Sequence, residues 1–231
     1  MRGTSTSVAV LAYEARRPRG VTLVAGHGYS SSKHNLDFLC GFLASHGFAV
    51  YSLDFPGHKL GASGGVLGGT DDLIDAMLAV ASHARVNGQP MYAMGHSMGA
   101  LTALLATAAD PLMSGVISIA TGYGRPSALE AMAGKVKTDF RSGYVDGVTL
   151  QELVAGSDAR LAQALPKLAG RPQLYIAATR DAMVQLGSVE DLFRRAPDPK
   201  TFRTVESDHT YAADNARSDV LQWLNQRHPR H

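Results

Sequence analysis

Short apolar runs alternate with longer segments of helical spacing along most of the chain. Several of the runs, such as VTLVAG and GVISIATG, contain almost no polar residue, as is typical of strands covered by helices on both faces. The alternation predicts β-α-β units on a mostly parallel sheet. Asn35 and Thr70 are the expected N-caps of the first two helices. The predicted strands lie at about 8–13, 21–25, 48–53, 91–95, 115–120, 173–178 and 201–205, and the predicted helices at about 35–46, 71–86, 98–109, 186–195 and 212–227.

The interval from 122 to 171 departs from this pattern, because it is longer than one crossover helix requires. Its apolar residues recur at helical spacing and glycines separate them. We therefore expect a single domain over 1–231, with a small helical cap, or lid, at 122–171, inserted after the strand that ends near Ala120. The apolar positions that predict the cap helices are Leu129, Met132, Val136, Leu150, Leu153, Val154, Leu161, Leu165 and Leu168.

Composition restricts the class of protein without deciding its function. The chain has 231 residues, 45% of them apolar, and a formal net charge of +2 with no block of like charges. This balance gives no sign of a nucleic-acid partner. Cys40 is the single cysteine, so no internal disulfide can form and the spacing of a zinc site is absent. A secretory core and a run of about eighteen apolar residues are both missing, and we expect a cytoplasmic protein without a membrane span.

The segment Gly95-His96-Ser97-Met98-Gly99 lies between an apolar run and an alanine-rich helical segment. It matches the G-x-S-x-G nucleophile elbow in pattern and in context. Such a tight turn strains the serine backbone, and the glycines remove Cβ atoms from a crowded approach. The serine hydroxyl is then exposed at the carboxyl edge of the sheet, beside a helix N-terminus. Ser97 is the predicted nucleophile, and the alternative is a small residue that only makes the turn.

A serine nucleophile needs a base, and the base needs an orienting acid. Of the nine histidines, His209 directly follows the last predicted strand and therefore lies at the same sheet edge as Ser97. The acid is expected after the preceding strand, where Asp181 stands. Asp208 is the weaker candidate, because it is adjacent to His209 in the chain and badly placed to reach the far ring nitrogen.

The oxyanion of the tetrahedral intermediate needs two backbone donors. The Met98 amide supplies one, and the Tyr29 amide, in the loop after an early buried strand, supplies the other. His27 and Gly28 in that loop, and His96 beside the serine, are placed at the substrate-binding site, although His96 also suits a packing role. A phosphate cradle is the competing interpretation of the glycines, but neither of its signatures follows.

These residues give the chain a resemblance to the α/β-hydrolase superfamily over nearly its whole length. The resemblance rests on His27-Gly28-Tyr29, the loop from Asp54 to His58, the elbow, Asp181 and the segment Asp208-His209, in the order Ser, Asp, His. It implies the α/β-hydrolase fold, a mainly parallel central sheet flanked by helices. Within the superfamily the chain looks like small bacterial carboxylesterases, feruloyl esterases and monoacylglycerol-lipase-like enzymes. The sequence departs from the pattern at Lys59-Leu60-Gly61-Ala62-Ser63 and in its curtailed N-terminal strands. Asp54 and His58 are expected to be structural.

The sequence thus predicts a serine hydrolase that cleaves short to medium acyl or aryl esters through an acyl-enzyme, with no metal or organic cofactor. The partner is a small-molecule ester, and the protein is a monomer or a homodimer. A thioesterase or acyltransferase is the first alternative, because the triad does not distinguish oxygen esters from thioesters. A non-catalytic ligand-binding protein with the same fold is the second.

Overall fold

A seven-stranded sheet organises the chain in the computed structural model, which describes residues 7–124, 141 and 143–229. The strands are β1 (Val10–Tyr13), β2 (Thr22–Gly26), β3 (Ala49–Leu53), β4 (Met91–His96), β5 (Gly115–Ile119), β6 (Gln173–Ala178) and β7 (Lys200–Val205). Their order is β1-β3-β2-β4-β5-β6-β7, with β1 antiparallel to β3 and the other pairs parallel. The predicted fold class is confirmed, because every predicted strand is present and the sheet is mainly parallel.

Helices cover both faces of the sheet. Leu23 packs in a cluster with the helices at 37–45 and 217–227, whereas its neighbour Val24 packs with those at 70–84 and 98–109, so the two clusters lie on opposite faces. No helix among the described residues is long and apolar enough to cross a membrane. The α-helices are α1 (Asp37–Ser45), α2 (Thr70–Ala84), α3 (Met98–Ala109), α4 (Leu150–Ala155), α5 (Ser157–Ala164), α6 (Leu186–Arg195), α7 (Ala212–Asn215) and α8 (Arg217–Arg227), with 3-10 helices at Lys33–Leu36 and Leu165–Leu168.

The starts of the first two helices differ from the prediction. Asn35 lies inside a 3-10 helix and Thr70 is the first residue of α2, so neither is an N-cap. At α2 the carboxylate of Asp72 accepts a hydrogen bond from the Gly68 N–H at 2.5 Å. This acid in the first turn therefore joins α2 to the loop that precedes it, and its negative charge lies where the helix dipole favours it.

The second half of the predicted cap segment packs against the body of the domain. Helix α4 begins with a capping box between Thr149 and Glu152. The apolar residues of α4, α5 and the following 3-10 helix, at 150–168, are buried in the cluster that also contains α2 and α3. Leu129, Met132 and Val136 lie outside the described residues. In the described part of the cap segment, the helical spacing of the apolar residues therefore arises because one face of these helices is buried against α3.

A small junction joins the loop after β3 to the segment before α4, and we call these residues, 57–67 and 143–148, the cap junction. The Asp146 N–H donates to the Gly57 carbonyl and the Leu67 N–H to the Asp146 carbonyl, each at 2.8 Å. Two isolated bridges, His58 with Val145 and Leu67 with Gly147, complete the pairing. Because these bonds join backbone groups, the junction fixes the position of residues 143–148 relative to the loop after β3.

Gly147 should be intolerant of a side chain. Its φ is +128°, and a Cβ there would lie 2.0 Å from the Leu67 carbonyl oxygen. Gly170 has a φ of +77° but open space around it. We expect Gly147→Ala to lower the free energy of unfolding by about 3 kcal/mol, the sum of left-handed strain and overpacking, and Gly170→Ala to lower it by only about 1 kcal/mol, since it has the strain alone. Urea unfolding of both variants measures the difference, and equal losses would show that the junction is not tightly packed.

Candidate active site

Ser97 occupies the turn between β4 and α3 in a strained conformation. Its φ is +55° and its ψ is −114°, outside the regions that an L-residue favours. The turn is this tight because backbones meet there: a Cβ at Gly95 would lie 2.1 Å from the Gly99 carbonyl oxygen, and a Cβ at Gly99 would lie 2.0 Å from that of Gly26. The packing of the helix against two strands therefore holds the serine in its strained position.

The structure brings Ser97, His209 and Asp181 into one hydrogen-bonded chain. Ser97 Oγ lies 3.0 Å from His209 Nε2, and His209 Nδ1 lies 2.7 Å from Asp181 Oδ2. The second carboxylate oxygen accepts the N–H groups of Met183 and Val184, each at 2.8 Å. With Nδ1 protonated toward the carboxylate, Nε2 is free to accept the serine proton. All three side chains belong to residues that are less than a tenth exposed.

Asp181 is held as a carboxylate. Burial by itself would raise the pKa of this group, but the hydrogen bond with His209 and the two backbone N–H donors more than offset it and hold the pKa below its ordinary value. Asp208 does not take this position. Its carboxylate accepts the Tyr211 N–H at 3.1 Å instead, as its place beside His209 in the chain implied.

A hydrogen bond within the loop after β2 fixes the orientation of the Gly28–Tyr29 peptide. The Gly28 carbonyl accepts a hydrogen bond from His27 Nδ1 at 2.8 Å. In a trans peptide the carbonyl and the following N–H point in opposite directions, so this bond turns the Tyr29 N–H away from His27. Gly28 is also close to the nucleophile, since a Cβ there would be 3.5 Å from Ser97 Cβ. Met98 is the first residue of α3, where helical N–H groups lack a partner within the helix.

His27 does not line the substrate site, contrary to our expectation. It is completely buried, its Nε2 accepts the Phe55 N–H at 3.1 Å, and its Nδ1 is engaged with Gly28. Both ring nitrogens are thus used to hold backbone. A histidine beside a glycine in a loop near the nucleophile has the same sequence signature whether it faces the cleft or lies beneath it, and only the packing distinguishes the two positions.

His96 and Gly28 do line the cleft. His96 Nε2 lies 2.8 Å from the carbonyl oxygen of His209, and the two rings are 4.8 Å apart between centroids. His96 therefore contacts the backbone of His209 and also lines the cleft. It has both the packing contact and the place at the site that the sequence allowed.

Asp54 and Lys33 form a buried pair that sequence analysis missed. Lys33 Nζ lies 2.5 Å from Asp54 Oδ2, and the Asp54 carboxylate also accepts the backbone N–H groups of Lys33 and Ala62. Burial opposes ionisation of Asp54, but these donors lower its pKa overall. The pair joins the loop that carries Tyr29 to the loop after β3. Asp54 was expected to be structural, but no pattern in the sequence identified Lys33 as its partner.

The cleft above Ser97 has a volume of about 330 Å³, which is near the lower end for ligand sites. Nine of the fourteen described lining residues were not singled out by the sequence as site residues, among them Ser31, Arg141 and Tyr144. The sequence gives little sign of these three residues, because Ser31 lies in a loop and Arg141 and Tyr144 lie in the cap segment. The positions of such segments do not follow from strand periodicity. The described residues that line the cleft are Gly28, Tyr29, Ser30, Ser31, Asn35, Leu60, His96, Ser97, Arg141, Tyr144, Leu150, Met183, His209 and Thr210.

Comparison with known proteins adds a family and a set of structural relatives. The family model described as "Serine aminopeptidase, S33" (Hydrolase_4) matches residues 16–152, more than half of the chain. No curated protein matches this chain in sequence. Similar solved structures are Est1E from Butyrivibrio proteoclasticus with ferulic acid bound (TM-score 0.78, 17% identity, 97% of both chains), a monoacylglycerol lipase from Paleococcus ferrophilus (0.72, 17%, 95% of this chain and 99% of that one), and a thermophilic esterase from Thermogutta terrifontis (0.70, 18%, 96% and 94%). At these identities the structures share the fold.

The buried histidines beneath the loop should make stability depend on pH. Burial lowers the pKa of His27 to about 3 and also lowers that of His58, whose ring centroid is 4.9 Å away. Below the ordinary histidine pKa of about 6.5, the unfolded chain binds protons that these folded rings refuse, so stability falls as the pH falls, by up to about 1.4 kcal/mol per pH unit for each histidine.

Urea unfolding between pH 7.5 and pH 4.8 tests this expectation. The range stays above the ordinary carboxyl pKa, so the lowered pKa values of Asp54 and Asp181 contribute fully throughout. His27→Asn should reduce the slope of stability against pH, although it also lowers stability at pH 7.5. An unchanged slope would mean that His27 is protonated in the folded protein.

The elbow glycines allow a second test. Gly99→Ala should prevent the helix from packing on β2, so that the variant either fails to fold or loses activity and several kcal/mol of stability, because the obstructing atoms are backbone. Gly41→Ala is the control, since Gly41 lies within α1 with nothing near its Cβ position. It should gain roughly 0.5–1 kcal/mol. A folded and active Gly99→Ala protein would contradict the tight approach.

Proposed function

The chain belongs to the serine aminopeptidase S33 family of α/β-hydrolases, and from this premise we propose that it is a serine hydrolase that cleaves carboxylic esters of short to medium acyl or aryl groups. The observation that carries the proposal is the hydrogen-bonded chain from Ser97 through His209 to Asp181, with distances of 3.0 and 2.7 Å. A nucleophile, a base and an orienting carboxylate in this arrangement are the parts that acyl transfer requires.

In the proposed reaction, Ser97 Oγ attacks the carbonyl carbon of the ester while His209 Nε2 takes the serine proton. The carbonyl oxygen becomes an oxyanion that the N–H groups of Tyr29 and Met98 stabilise, and removal of one such donor costs roughly 2.7–4 kcal/mol in comparable sites. His209 then passes its proton to the leaving alcohol, and an acyl-enzyme remains. Water repeats the sequence, releases the acid and restores Ser97. Asp181 keeps the imidazole in the required tautomer and stabilises its charged form.

The cleft supports esters more strongly than the peptides that the family's description names. An aminopeptidase must hold the positively charged amino terminus of its substrate, which carboxylates do best. Among the described residues that line the cleft there is no Asp or Glu, and Arg141 would repel an ammonium group. The structural relatives include proteins described as esterases and a monoacylglycerol lipase. The small volume of the cleft favours short and medium groups.

A fluorophosphonate probe tests the nucleophile without any assumption about the substrate. Intact mass spectrometry should find one adduct per chain on the wild-type protein, located at Ser97 by peptide mapping, and none on Ser97→Ala. The hydrolysis of p-nitrophenyl butyrate should fall by about 10⁴-fold or more in Ser97→Ala and in His209→Ala, because each removes a part of one unit.

Ser218→Ala is the matched control, since Ser218 is exposed on α8, a helix that packs on the sheet through other residues. It should react with the probe and hydrolyse the ester as the wild type does. Labelling of Ser97 without turnover of any oxygen ester, but with turnover of acyl thioesters, would replace the esterase proposal by the thioesterase alternative. Absence of both labelling and turnover would refute a serine hydrolase.

A further inference from the structure

The described lining of the cleft carries one permanent positive charge besides the residues of the hydrogen-bonded chain. Of the described residues that line the cleft, Arg141 is the one with a permanent charge, and none is acidic. Arg141 is half-buried, so its charge is screened by water less than that of a surface arginine. A guanidinium offers five N–H donors in a planar fork, which suits a carboxylate or a phosphate.

A backbone hydrogen bond joins Arg141 to the cap junction. The Arg141 carbonyl accepts the Tyr144 N–H at 3.1 Å, and Tyr144 itself lines the cleft. The Tyr144 carbonyl accepts the Lys59 N–H at 2.9 Å, which continues the backbone pairing of the junction. These bonds place the backbone from which the Arg141 side chain extends at the rim of the cleft.

Ser31 provides a second and independent sign of a polar ligand. It also lines the cleft, and its Oγ is buried without a hydrogen bond to any residue that the structure describes. A buried hydroxyl without a partner is unfavourable, and it gains the missing bond when a ligand with an acceptor enters. The hydroxyl can donate to an anionic oxygen, as the guanidinium can.

We propose that this cleft selects esters which carry an anionic group, a carboxylate or a phosphate, held by Arg141 and Ser31 while the ester carbonyl lies at Ser97. This inference rests on the proposed esterase function and names its substrate class. The anionic group belongs either to the acyl part or to the alcohol part of the ester, and the Arg141 guanidinium attracts it in both cases. A cleft of about 330 Å³ admits a small molecule in which the anion and the ester carbonyl are a few bonds apart.

Two substrate pairs that differ only in charge test the inference. Mono-p-nitrophenyl adipate is compared with p-nitrophenyl hexanoate for an anion on the acyl part, and 4-acetoxybenzoate with its methyl ester for an anion on the alcohol part. The wild type should show a kcat/KM at least about tenfold higher for the anionic member of one pair. In Arg141→Gln this ratio should fall by about tenfold, while Arg141→Lys, which keeps the charge but not the fork, should keep part of it.

Arg194→Gln is the matched control, because it removes the same charge from an exposed position on α6. It should leave the rates on all four esters unchanged. Binding of the anionic ester to Ser97→Ala, measured by calorimetry, gives a readout that does not depend on turnover, and it should weaken about tenfold when Arg141→Gln is added.

The two proposals fail in different ways. If the neutral esters are hydrolysed, but neither anionic ester is preferred or the preference survives Arg141→Gln, the anionic substrate class is wrong and the esterase proposal stands. If no ester is hydrolysed but binding of the anionic ester to the Ser97→Ala protein depends on Arg141, the binding site stands and the esterase proposal falls. Binding that is absent, or equal with and without Arg141, overturns the inference.

Discussion

The close approach of three backbones at the end of β4 is the constraint on which the rest of the structure depends. Gly95 and Gly99 leave no room for a Cβ, since the nearest atoms are the carbonyl oxygens of Gly99 and Gly26. Because the atoms are backbone, they cannot move aside as a side chain can. The helix must therefore begin directly after Ser97, with a left-handed φ at the serine. That single geometry places the hydroxyl at the cleft and sets the distance at which the loops after β2, β6 and β7 meet the serine.

Two kinds of buried polar group, neutral histidines and a charged pair, fix the loops around Ser97. His27 and His58 are neutral, and their rings hold backbone atoms within an apolar cluster that includes Phe55. Asp54 and Lys33 are charged and paired, and they join the same loop to the chain after β3. Neutral groups tolerate burial and a charged pair tolerates it when its remaining hydrogen bonds are satisfied. Together they keep the Gly28–Tyr29 peptide in one orientation.

Much of this arrangement follows from local sequence, and the remainder does not. The strands and most helices were predicted within a few residues, because burial on both faces leaves an unmistakable apolar run. The residues of the triad were brought together by a topological rule, since parallel strands present the loops after their carboxyl ends at one edge. The place of His27, the partner of Asp54 and the position of Arg141 at the cleft were not predictable, because each depends on which loop packs on which. The predicted N-cap of α2 was wrong because the helix begins at Thr70 itself, one residue earlier than expected.

The chain order of the catalytic groups has a consequence for the life of the protein before it is complete. The hydrogen bond between Ser97 and His209 joins residues 112 positions apart, and that between His209 and Asp181 joins residues 28 apart. A chain emerging from the ribosome can form β2, β4 and the elbow long before His209 is synthesised. During that interval Ser97 is an ordinary hydroxyl without a base. Under the proposed mechanism, hydrolytic activity therefore begins only after β7 has joined the sheet, and an interrupted or truncated product carries Ser97 in inert form.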